Sequence, residues 1–322
     1  MNRILIISPD YQPDIDDVID WLIYFKAEFV RITPTTIFKV KNVNICNNFK
    51  TSIDVIIQNK EYNLSEFNSI WIYNNILPLS SHFNTNNDLD NLDKRINRFF
   101  IDEWRVLTNF IFKYFEGRNT IGSLTYGSPN KLLQLSVAKE CGLYIPDTQI
   151  SNNFEFLKWE PKILITKPIS EVFSYFEKNS QFVSRTIKLD NILINKNHND
   201  RFPFLSQVNI PKRFELRIFY LKGKFYSSAI FSQNETNTSD DWRNSPNSLR
   251  ILPFNLPKEI ESKLNSFMQK LNLDIGSIDM IYSINKEFIF LEVNPVGIFQ
   301  NISALCNYNI HKIIAQKLIN EN

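Results

Sequence analysis

Apolar and polar residues alternate in short blocks along the first part of the chain, and these blocks predict strands and helices in turn. The run Arg3–Ser8 is typical of a buried strand, and residues 15–27 carry apolar side chains on one side of a predicted helix. Further short apolar runs predict strands at Phe29–Ile32, Ser52–Gln58 and Ser69–Tyr73. Strand, helix and strand at this spacing predict a small α/β domain at the start of the chain.

The remainder of the chain predicts a mixture of helices and strands. Residues 84–93 form a polar link. Helices are predicted from about Leu92 to Phe115, Lys131 to Cys141, Leu256 to Leu273 and Ile302 to Leu318, and strands at Lys162–Pro168, Phe204–Val208, Phe214–Tyr220 and Phe225–Ser232. A chain of 322 residues has room for two or three subdomains, here of mixed α/β (α+β) class.

A predicted β-hairpin over residues 276–297 carries the densest candidate chemistry. Its turn is predicted at Asn285 and Lys286, because these polar residues separate two apolar runs. A two-residue turn there places Asp279 directly opposite Glu292 on the neighbouring strand. Like charges in opposed positions are destabilising, so the pair predicts a cation close to both carboxylates.

The second strand of this hairpin ends in Glu292-x-Asn294-Pro295-x-Gly297. Glu292 and Asn294 alternate onto one face of the strand. Together with Asp279 they offer two carboxylates and an amide oxygen, hard ligands that suit Mg²⁺ held partly by substrate phosphates. An ordinary edge hairpin with acids facing water explains the spacing about equally well. The strand-stopping Pro295 and Gly297 favour the metal site, because α/β enzymes place ligands at strand ends.

Two charged residues share one face of another predicted strand, Phe214–Tyr220. Glu215 and Arg217 alternate with the apolar Phe214, Leu216 and Ile218. The planar guanidinium of Arg217 suits a phosphate or a carboxylate. A cross-strand ion pair on a wet face is an equally good explanation of the pattern.

An acidic cluster, Asp10, Asp14, Asp16 and Asp17, follows the first predicted strand. These residues could bind a cation. Acids at the start of a helix also interact favourably with the helix dipole, and that simpler explanation is preferred here.

Composition excludes several classes of function. The net charge is +2, so no bulk attraction to nucleic acid is expected. The three cysteines are isolated from one another and form neither a disulfide framework nor a zinc motif, which favours a cytoplasmic location. The opening run MNRILIIS is too short for a signal peptide, and no stretch is long enough to span a membrane.

The motifs, taken in chain order, resemble those of the ATP-grasp ligases. They are Asn130-Lys131, Lys167 at a strand end, Glu215-Leu-Arg217, Ser232-Gln233, Asp241-Trp242-Arg243, Gly276-Ser-Ile-Asp279 and Phe290-Leu-Glu292-x-Asn294-Pro-x-Gly297. The set is most similar to the ATP-grasp peptide maturases of graspetide (microviridin-type) pathways, in the grasp-with-spasm branch. The similarity covers the chain from about Asn130 to the end, and more weakly the N-terminal region.

The resemblance implies an ATP-grasp fold that follows an N-terminal α/β pre-ATP-grasp domain. It divides the chain into residues 1–125, the N-terminal domain, and residues 126–205, a central subdomain with a surface for a leader peptide. Residues 206–322 form a C-terminal subdomain that carries the metal site.

The activity that the resemblance implies is ATP-dependent peptide maturation with ATP and Mg²⁺ as cofactors. A side-chain carboxylate of a ribosomally made precursor peptide, composed of leader and core, is phosphorylated. A Ser or Thr hydroxyl or a Lys amine of the same peptide then attacks the acylphosphate and closes a macrocyclic ester or amide. Related ligases often form homodimers, and neither a nucleic acid nor a membrane is an expected partner.

The resemblance also implies a role for each matching residue. Mg²⁺ would be held by Asp279, Glu292 and Asn294, and the nucleotide phosphates would be bound by Lys131 and Lys167. Adenine would be bound by Gln207, Val208, Asn209 and Ile210, and the ribose by Glu215. The acylphosphate would be bound by Arg217 and Arg243, and Asp241 would orient Arg243 or assist deprotonation of the nucleophile.

Two other functions stay open on the sequence. A ligase that joins a free amino acid or amine to a protein or small-molecule carboxylate would use the same ATP site. A nucleotide-binding protein without turnover is the third candidate, although the retained lysines, ligands and arginines argue against it. The chain departs from the family pattern at Ile298, where a glutamine is expected, and in residues 169–182, which lack the glycines of the usual phosphate flap.

Overall fold

The computed structural model describes residues 3–74, 76–79, 82, 92–122, 130–153, 163–170, 174–177, 180–184, 186–189, 202–232 and 250–320. The chain divides into two compact units. The first unit comprises Met1–Ser128, Leu273–Ile275 and Ile298–Asn322, and the second comprises Pro129–Asn272 and Gly276–Gly297. The division at residues 1–125, 126–205 and 206–322 stays a prediction.

Strands and helices are numbered along the chain over these described residues. The strands are β1 (Arg3–Ile7), β2 (Glu28–Ile32), β3 (Phe38–Cys46), β4 (Phe49–Ile57), β5 (Lys60–Asn63), β6 (Phe67–Ile72), β7 (Asn119–Ile121), β8 (Thr148–Ser151), β9 (Leu164–Thr166), β10 (Ser174–Glu177), β11 (Ser180–Val183), β12 (Ile187–Leu189), β13 (Phe204–Val208), β14 (Lys212–Leu221), β15 (Lys224–Phe231), β16 (Arg250–Pro253), β17 (Ile275–Ser283) and β18 (Phe288–Asn294). The helices are α1 (Pro13–Tyr24), α2 (Lys94–Tyr114), α3 (Lys131–Glu140), α4 (Lys258–Lys270), α5 (Gln300–Leu305) and α6 (Ile310–Ile319). Within this part of the chain, none of the helices combines the length and the apolar character needed to cross a lipid bilayer.

The first unit is built on a parallel sheet with the strand order β2-β1-β6-β7. Four of the five residues of β1 are buried, as expected for a parallel sheet that is covered on both faces. A second, antiparallel sheet joins β3, β4 and β5. Apolar side chains of both sheets share one core with Ile111, Phe112 and Phe115 at the end of α2.

The C-terminal part of the first unit is broken into two helices. A single helix over residues 302–318 is wrong, because the chain turns between α5 and α6. Asn307 has a φ of +54° and Asn309 a φ of +53°, backbone conformations that asparagine tolerates better than most residues. α6 then packs against α1, and Asn119 Nδ2 donates a hydrogen bond of 2.7 Å to Lys317 O.

The second unit contains two larger sheets and a hairpin. One sheet has the order β12-β9-β13-β8, and the hairpin is β10–β11. The other is a five-stranded antiparallel sheet with the order β16-β15-β14-β17-β18. One face of this sheet packs on α4, where the rings of Phe267 and Phe290 lie 4.7 Å apart. Because side chains alternate along strands, the other face is left for the charged residues described below.

Candidate active site

The hairpin β17–β18 places two carboxylates opposite each other. Asp279 pairs with Glu292 in the ladder, as predicted from the sequence. The predicted two-residue turn is nevertheless wrong. Ser283 N donates to Glu287 O at 3.0 Å, so the loop has three residues, Ile284 to Lys286. Lys286 has a φ of +67°, the left-handed position that three-residue hairpin loops use.

A β-bulge restores the register that the longer loop would have shifted. Met280 pairs with Phe290 while Asp279 pairs with Glu292, which leaves Leu291 as an extra residue in β18. The bulge also separates two residues that plain alternation would put on one face. Phe290 lies with Met280 on the face toward α4, and Glu292 lies with Asp279 on the other face.

Arg217 on β14 is paired with Asp279 on the neighbouring strand. Its Nη1 lies 2.6 Å from Asp279 Oδ1 and 2.7 Å from Oδ2. Each side chain is only 14% exposed, so the pair lies on a largely covered face and not on the wet face that one explanation of the sequence required. A charge-assisted bond of this length holds the carboxylate and the guanidinium in fixed positions.

Lys131 approaches the other carboxylate from the first turn of α3. Asn130 caps this helix, since its side-chain oxygen accepts hydrogen bonds from the N–H groups of Leu132 and Leu133. Lys131 Nζ lies 3.5 Å from Glu292 Oε2 and donates a bond of 2.9 Å to Ser170 O. The helix start therefore sets a cation between Glu292 and the segment that follows β9.

Glu215 lies on the same strand as Arg217 and has a cation of its own. Its Oε1 accepts hydrogen bonds from Lys212 Nζ at 2.7 Å and from Ser232 Oγ at 2.9 Å. Burial raises the pKa of the Glu215 carboxyl, and the negative charge of Asp279 raises it further, while Lys212 and Ser232 act in the opposite direction. Each of the three acids on this face thus has a lysine or arginine as neighbour.

Asn294, the third predicted ligand, uses its side chain to close the turn after β18. Its Oδ1 accepts hydrogen bonds from Val296 N at 3.1 Å and Gly297 N at 3.4 Å. Gly297 has a φ of +52°, and a Cβ atom there would lie 2.8 Å from Ser277 N, so only glycine fits. Asn294 therefore shapes the strand end, and its side-chain oxygen is already used in that turn.

The oxygen atoms of Asp279, Glu292 and Asn294 are donors of the chemical type that Mg²⁺ prefers. Two opposed carboxylates supply hard oxygen ligands, and Mg²⁺ is commonly held by one or two carboxylates together with substrate phosphates. Over the described residues, no group of three or more His, Cys, Asp or Glu side chains is arranged to hold a metal without such help. The metal roles of Asp279, Glu292 and Asn294 stay predictions.

The residues predicted to bind adenine lie at the end of β13. Gln207 is buried, and its Nε2 donates to Thr148 Oγ1 at 2.8 Å. Val208 N donates to Asp147 O at 3.0 Å and Asn209 N donates to Ile163 O at 2.8 Å, so both N–H groups are already used within the unit. A base bound here would have to use other backbone groups, such as those of Ile210.

The structure gives less information about the other predicted site residues. Lys167 follows β9 directly and is partly buried. Asp241 and Arg243 lie outside the described residues. Lys212 and Gln134 also contact the residues of this face but were not predicted from the sequence, and Ser232 was predicted as part of a motif without a contact partner. No local pattern marks Lys212, whereas Gln134 follows Lys131 by three residues on α3 and so shares its side of the helix.

A sheet face with two opposed carboxylates, and with lysines and an arginine beside them, fits the ATP-grasp class of ligase fold that the sequence motifs predict. Solved structures of this class match the chain along its whole length. An ATP-grasp ligase from Chryseobacterium gregarium, associated with ribosomally made peptides (RiPPs) and solved with ADP and a leader and core peptide, is 24% identical over 100% of this chain and 98% of its own, with a TM-score of 0.75.

Two further structures give the same result. The macrocyclase MdnC from Microcystis aeruginosa, solved with its precursor peptide MdnA, is 25% identical over 99% of both chains, with a TM-score of 0.73. The ATP-grasp ligase PsnB, solved with a minimal precursor, Mg and ADP, is 16% identical over 98% of this chain and 96% of its own, with a TM-score of 0.70. No family model and no curated protein matches the sequence. The ATP-grasp fold and the resemblance to the peptide-modifying ATP-grasp ligases are confirmed.

Proposed function

We propose that this chain is an ATP-dependent peptide maturase. It phosphorylates side-chain carboxylates of a ribosomally made precursor peptide and closes macrocyclic ester or amide cross-links, which makes it an ADP-forming ATP-grasp ligase. The observation that carries the proposal is the similarity over 99% of both chains to a macrocyclase bound to its precursor peptide. The charged face around Asp279 and Glu292 supports it, because Lys131 and Arg217, from two other motifs, contact these carboxylates there.

The reaction has two chemical steps. A peptide carboxylate oxygen attacks the γ-phosphorus of ATP, the bond to the β–γ bridging oxygen breaks, and ADP leaves. A hydroxyl or amine of the same peptide then attacks the carbonyl carbon of the acylphosphate, and phosphate leaves as the ester or amide forms. Activation is needed because a carboxylate is a poor electrophile with a poor leaving group. The nucleophile gives up one proton to the departing phosphate or to water.

Each predicted site residue would have a particular role in this reaction. Bound Mg²⁺ supplies charge compensation for the phosphates, and Asp279 and Glu292 with Asn294 would hold it. Lys131 and Lys167 would bind the nucleotide phosphates. Arg217 and Arg243 would stabilise the acylphosphate with fixed positive charge, and Asp241 would orient Arg243.

The adenosine part of the nucleotide would lie between the sheet end at β13 and the strand β14. Adenine would be bound by the backbone groups of Gln207, Val208, Asn209 and Ile210 that are not used within the unit, and Glu215 would accept hydrogen bonds from the ribose. The 2.7 Å bond from Lys212 holds the Glu215 carboxylate in one place, which supports this role.

The partner is a precursor peptide with a leader and a core. The surface for the leader is proposed between about Gln181 and Phe204, most of which lies outside the described residues. We also propose a cytoplasmic location, since Cys46, Cys141 and Cys306 are all free thiols. A homodimer is proposed from the resemblance alone.

Mass spectrometry of a precursor peptide tests the function directly. A candidate peptide from a neighbouring reading frame is incubated with the protein, ATP and Mg²⁺, and with the Glu292→Gln variant as control. We expect the peptide to lose one water for each ring, and the variant to leave its mass unchanged. A mass gain equal to an added amine would instead identify a ligase for free amines, and ATP binding without any product would identify a binding protein.

A further inference from the structure

Gln134 makes an unusual contact with the strand end that carries the predicted metal ligands. It lies on α3, one turn after Lys131, and is only 2% exposed. Its side-chain amide bonds both backbone groups of one residue: Nε2 donates to Val293 O at 3.1 Å, and Oε1 accepts from Val293 N at 2.8 Å. Both bonds are buried.

Val293 is the residue between Glu292 and Asn294. It lies on β18, the last strand in the order of the five-stranded sheet, whose outer backbone groups have no neighbouring strand in that sheet. Earlier on the same strand, the N–H of Phe290 is taken by the backbone carbonyl of Tyr144 at 2.8 Å. The side-chain amide of Gln134 likewise bonds the outer backbone groups of Val293, and it satisfies both the N–H donor and the C=O acceptor of that residue.

The two contacts made by α3 act on adjacent residues of β18. Lys131 lies beside the side chain of Glu292, and Gln134 holds the backbone of the next residue. A backbone fixed by two hydrogen bonds at Val293 restricts the direction of the side chains on either side. Residues that hydrogen-bond to metal ligands commonly change metal affinity about 10- to 100-fold when they are replaced, and a contact one residue away is expected to act at the lower end of that range.

We propose that Gln134 is a positioning residue for the metal–nucleotide site. It holds the end of β18 so that Glu292 stays opposite Asp279. This inference rests on the proposed function, because the ligand that the carboxylates would take is the Mg²⁺–nucleotide complex.

A replacement of similar length without hydrogen-bonding groups tests the inference. In Gln134→Met, the unbonded Val293 N–H should exchange faster with deuterium, which mass spectrometry of a peptide spanning residues 290–297 measures without any ligand. The Mg²⁺ concentration for half-maximal binding of a non-hydrolysable ATP analogue should rise about 10-fold. The control Val137→Ala, on the same helix, should lower the unfolding temperature and leave the Mg²⁺ requirement unchanged.

A second variant separates positioning from packing. In Gln134→Glu, a protonated carboxylic acid can donate to Val293 O and accept from Val293 N as the amide does, but an ionised carboxylate cannot donate. Burial favours the protonated form. The Mg²⁺ requirement of this variant, relative to the wild type at each pH, should therefore recover as the pH falls. A role in packing alone predicts no such recovery.

The outcomes distinguish a failure of the positioning role of Gln134 from a failure of the proposed function. If the wild type binds the analogue with Mg²⁺ and both variants do so equally well at every pH, the positioning role is overturned while the proposed function stands. If the wild type itself shows no Mg²⁺-dependent binding, the proposed function fails and the metal part of the inference fails with it. Faster exchange at residues 290–297 together with a pH-dependent Mg²⁺ requirement in Gln134→Glu supports the inference.

Discussion

Two regions of the molecule bring acidic side chains together at strand or helix ends, and they differ in what neutralises the acids. In the first unit, His311 Nε2 lies 3.6 Å from Asp14 Oδ1 and 3.4 Å from Asp17 Oδ2, and it is charged only when protonated. In the second unit, Asp279 and Glu292 each have a separate cation, Arg217 or Lys131.

The difference lies in the elements that supply the partners. The Asp14–Asp17–His311 group joins α1 to α6, with Asp14 only 1% exposed and Ser303 Oγ 3.3 Å from the other ring nitrogen of His311. Asp14 is buried in a contact between helices, whereas the side chain of Asp17 is 47% exposed. The Asp279–Glu292 pair lies on a sheet face with helix α3 at its edge. Clustered acids occur in both units, and the candidate site differs in having permanently charged partners that come from separate elements.

The largest expected difference between the two groups is in catalysis. Asp279→Asn should lower ADP formation by about 10³-fold, because it removes a charge that the proposed metal–phosphate chemistry needs. Asp14→Asn should leave the rate within about threefold, since catalysis in this fold is proposed to depend on the second unit. Steady-state ADP release with saturating ATP and peptide measures both. An equal loss in Asp14→Asn would show that the first unit takes part in the reaction.

The next effect concerns stability. Arg217→Met removes the guanidinium that lies 2.6 Å from the largely buried Asp279 carboxylate, which should lower the free energy of unfolding by about 2 kcal/mol. The same change made in the Asp279→Asn background should cost much less, because the ion pair with Arg217 is already lost there. Urea unfolding followed by circular dichroism measures this double-mutant cycle. Additive effects of the two changes would contradict a coupled pair.

The smallest effect is a pH dependence of stability at Glu215. Because burial raises the pKa of this carboxyl, the folded protein keeps the proton to a higher pH than the unfolded chain does. Its contribution to stability is therefore present below the ordinary value of 4.5 and is lost as the pH rises through the raised value.

A matched pair of variants isolates this dependence. The unfolding free energy of the wild type minus that of Glu215→Gln should fall as the pH rises above 4.5 and then level off. The exposed Glu103→Gln serves as control for the loss of a carboxyl elsewhere. A difference that increases with pH would mean that Lys212 outweighs burial at Glu215.

Much of the charged face could be predicted from alternation and from the motifs. That Glu215 and Arg217 share a face follows from their spacing by two residues on a strand. The opposition of Asp279 and Glu292 was also predicted, but with the wrong turn and without the bulge. The extra residue in the loop and the extra residue in the bulge shift the pairing in opposite directions, so their effects on the register cancel. No pattern in the sequence indicates either of them.

Other contacts depend on residues far apart in the chain and leave no local trace. Gln134 and Val293 are 159 positions apart, and only the packing of α3 on β18 brings them together. The role of Asn294 in closing a turn competes with its predicted role as a ligand, and the spacing Asn-Pro-x-Gly fits both. The strand β5 was missed because it is short and mostly polar, and β3 was missed although its first residues alternate between apolar and polar.

The bulge in β18 has a consequence for comparing this chain with its relatives. Leu291 has no opposite residue in the ladder of β17 and β18. A relative that lacks this residue would therefore still place the same two carboxylates opposite each other. Two such sequences, aligned position by position from the aspartate, would appear to disagree about the glutamate by one place. A gap belongs at Leu291, and hairpins that differ in length by one residue are expected to present the same pair of acids.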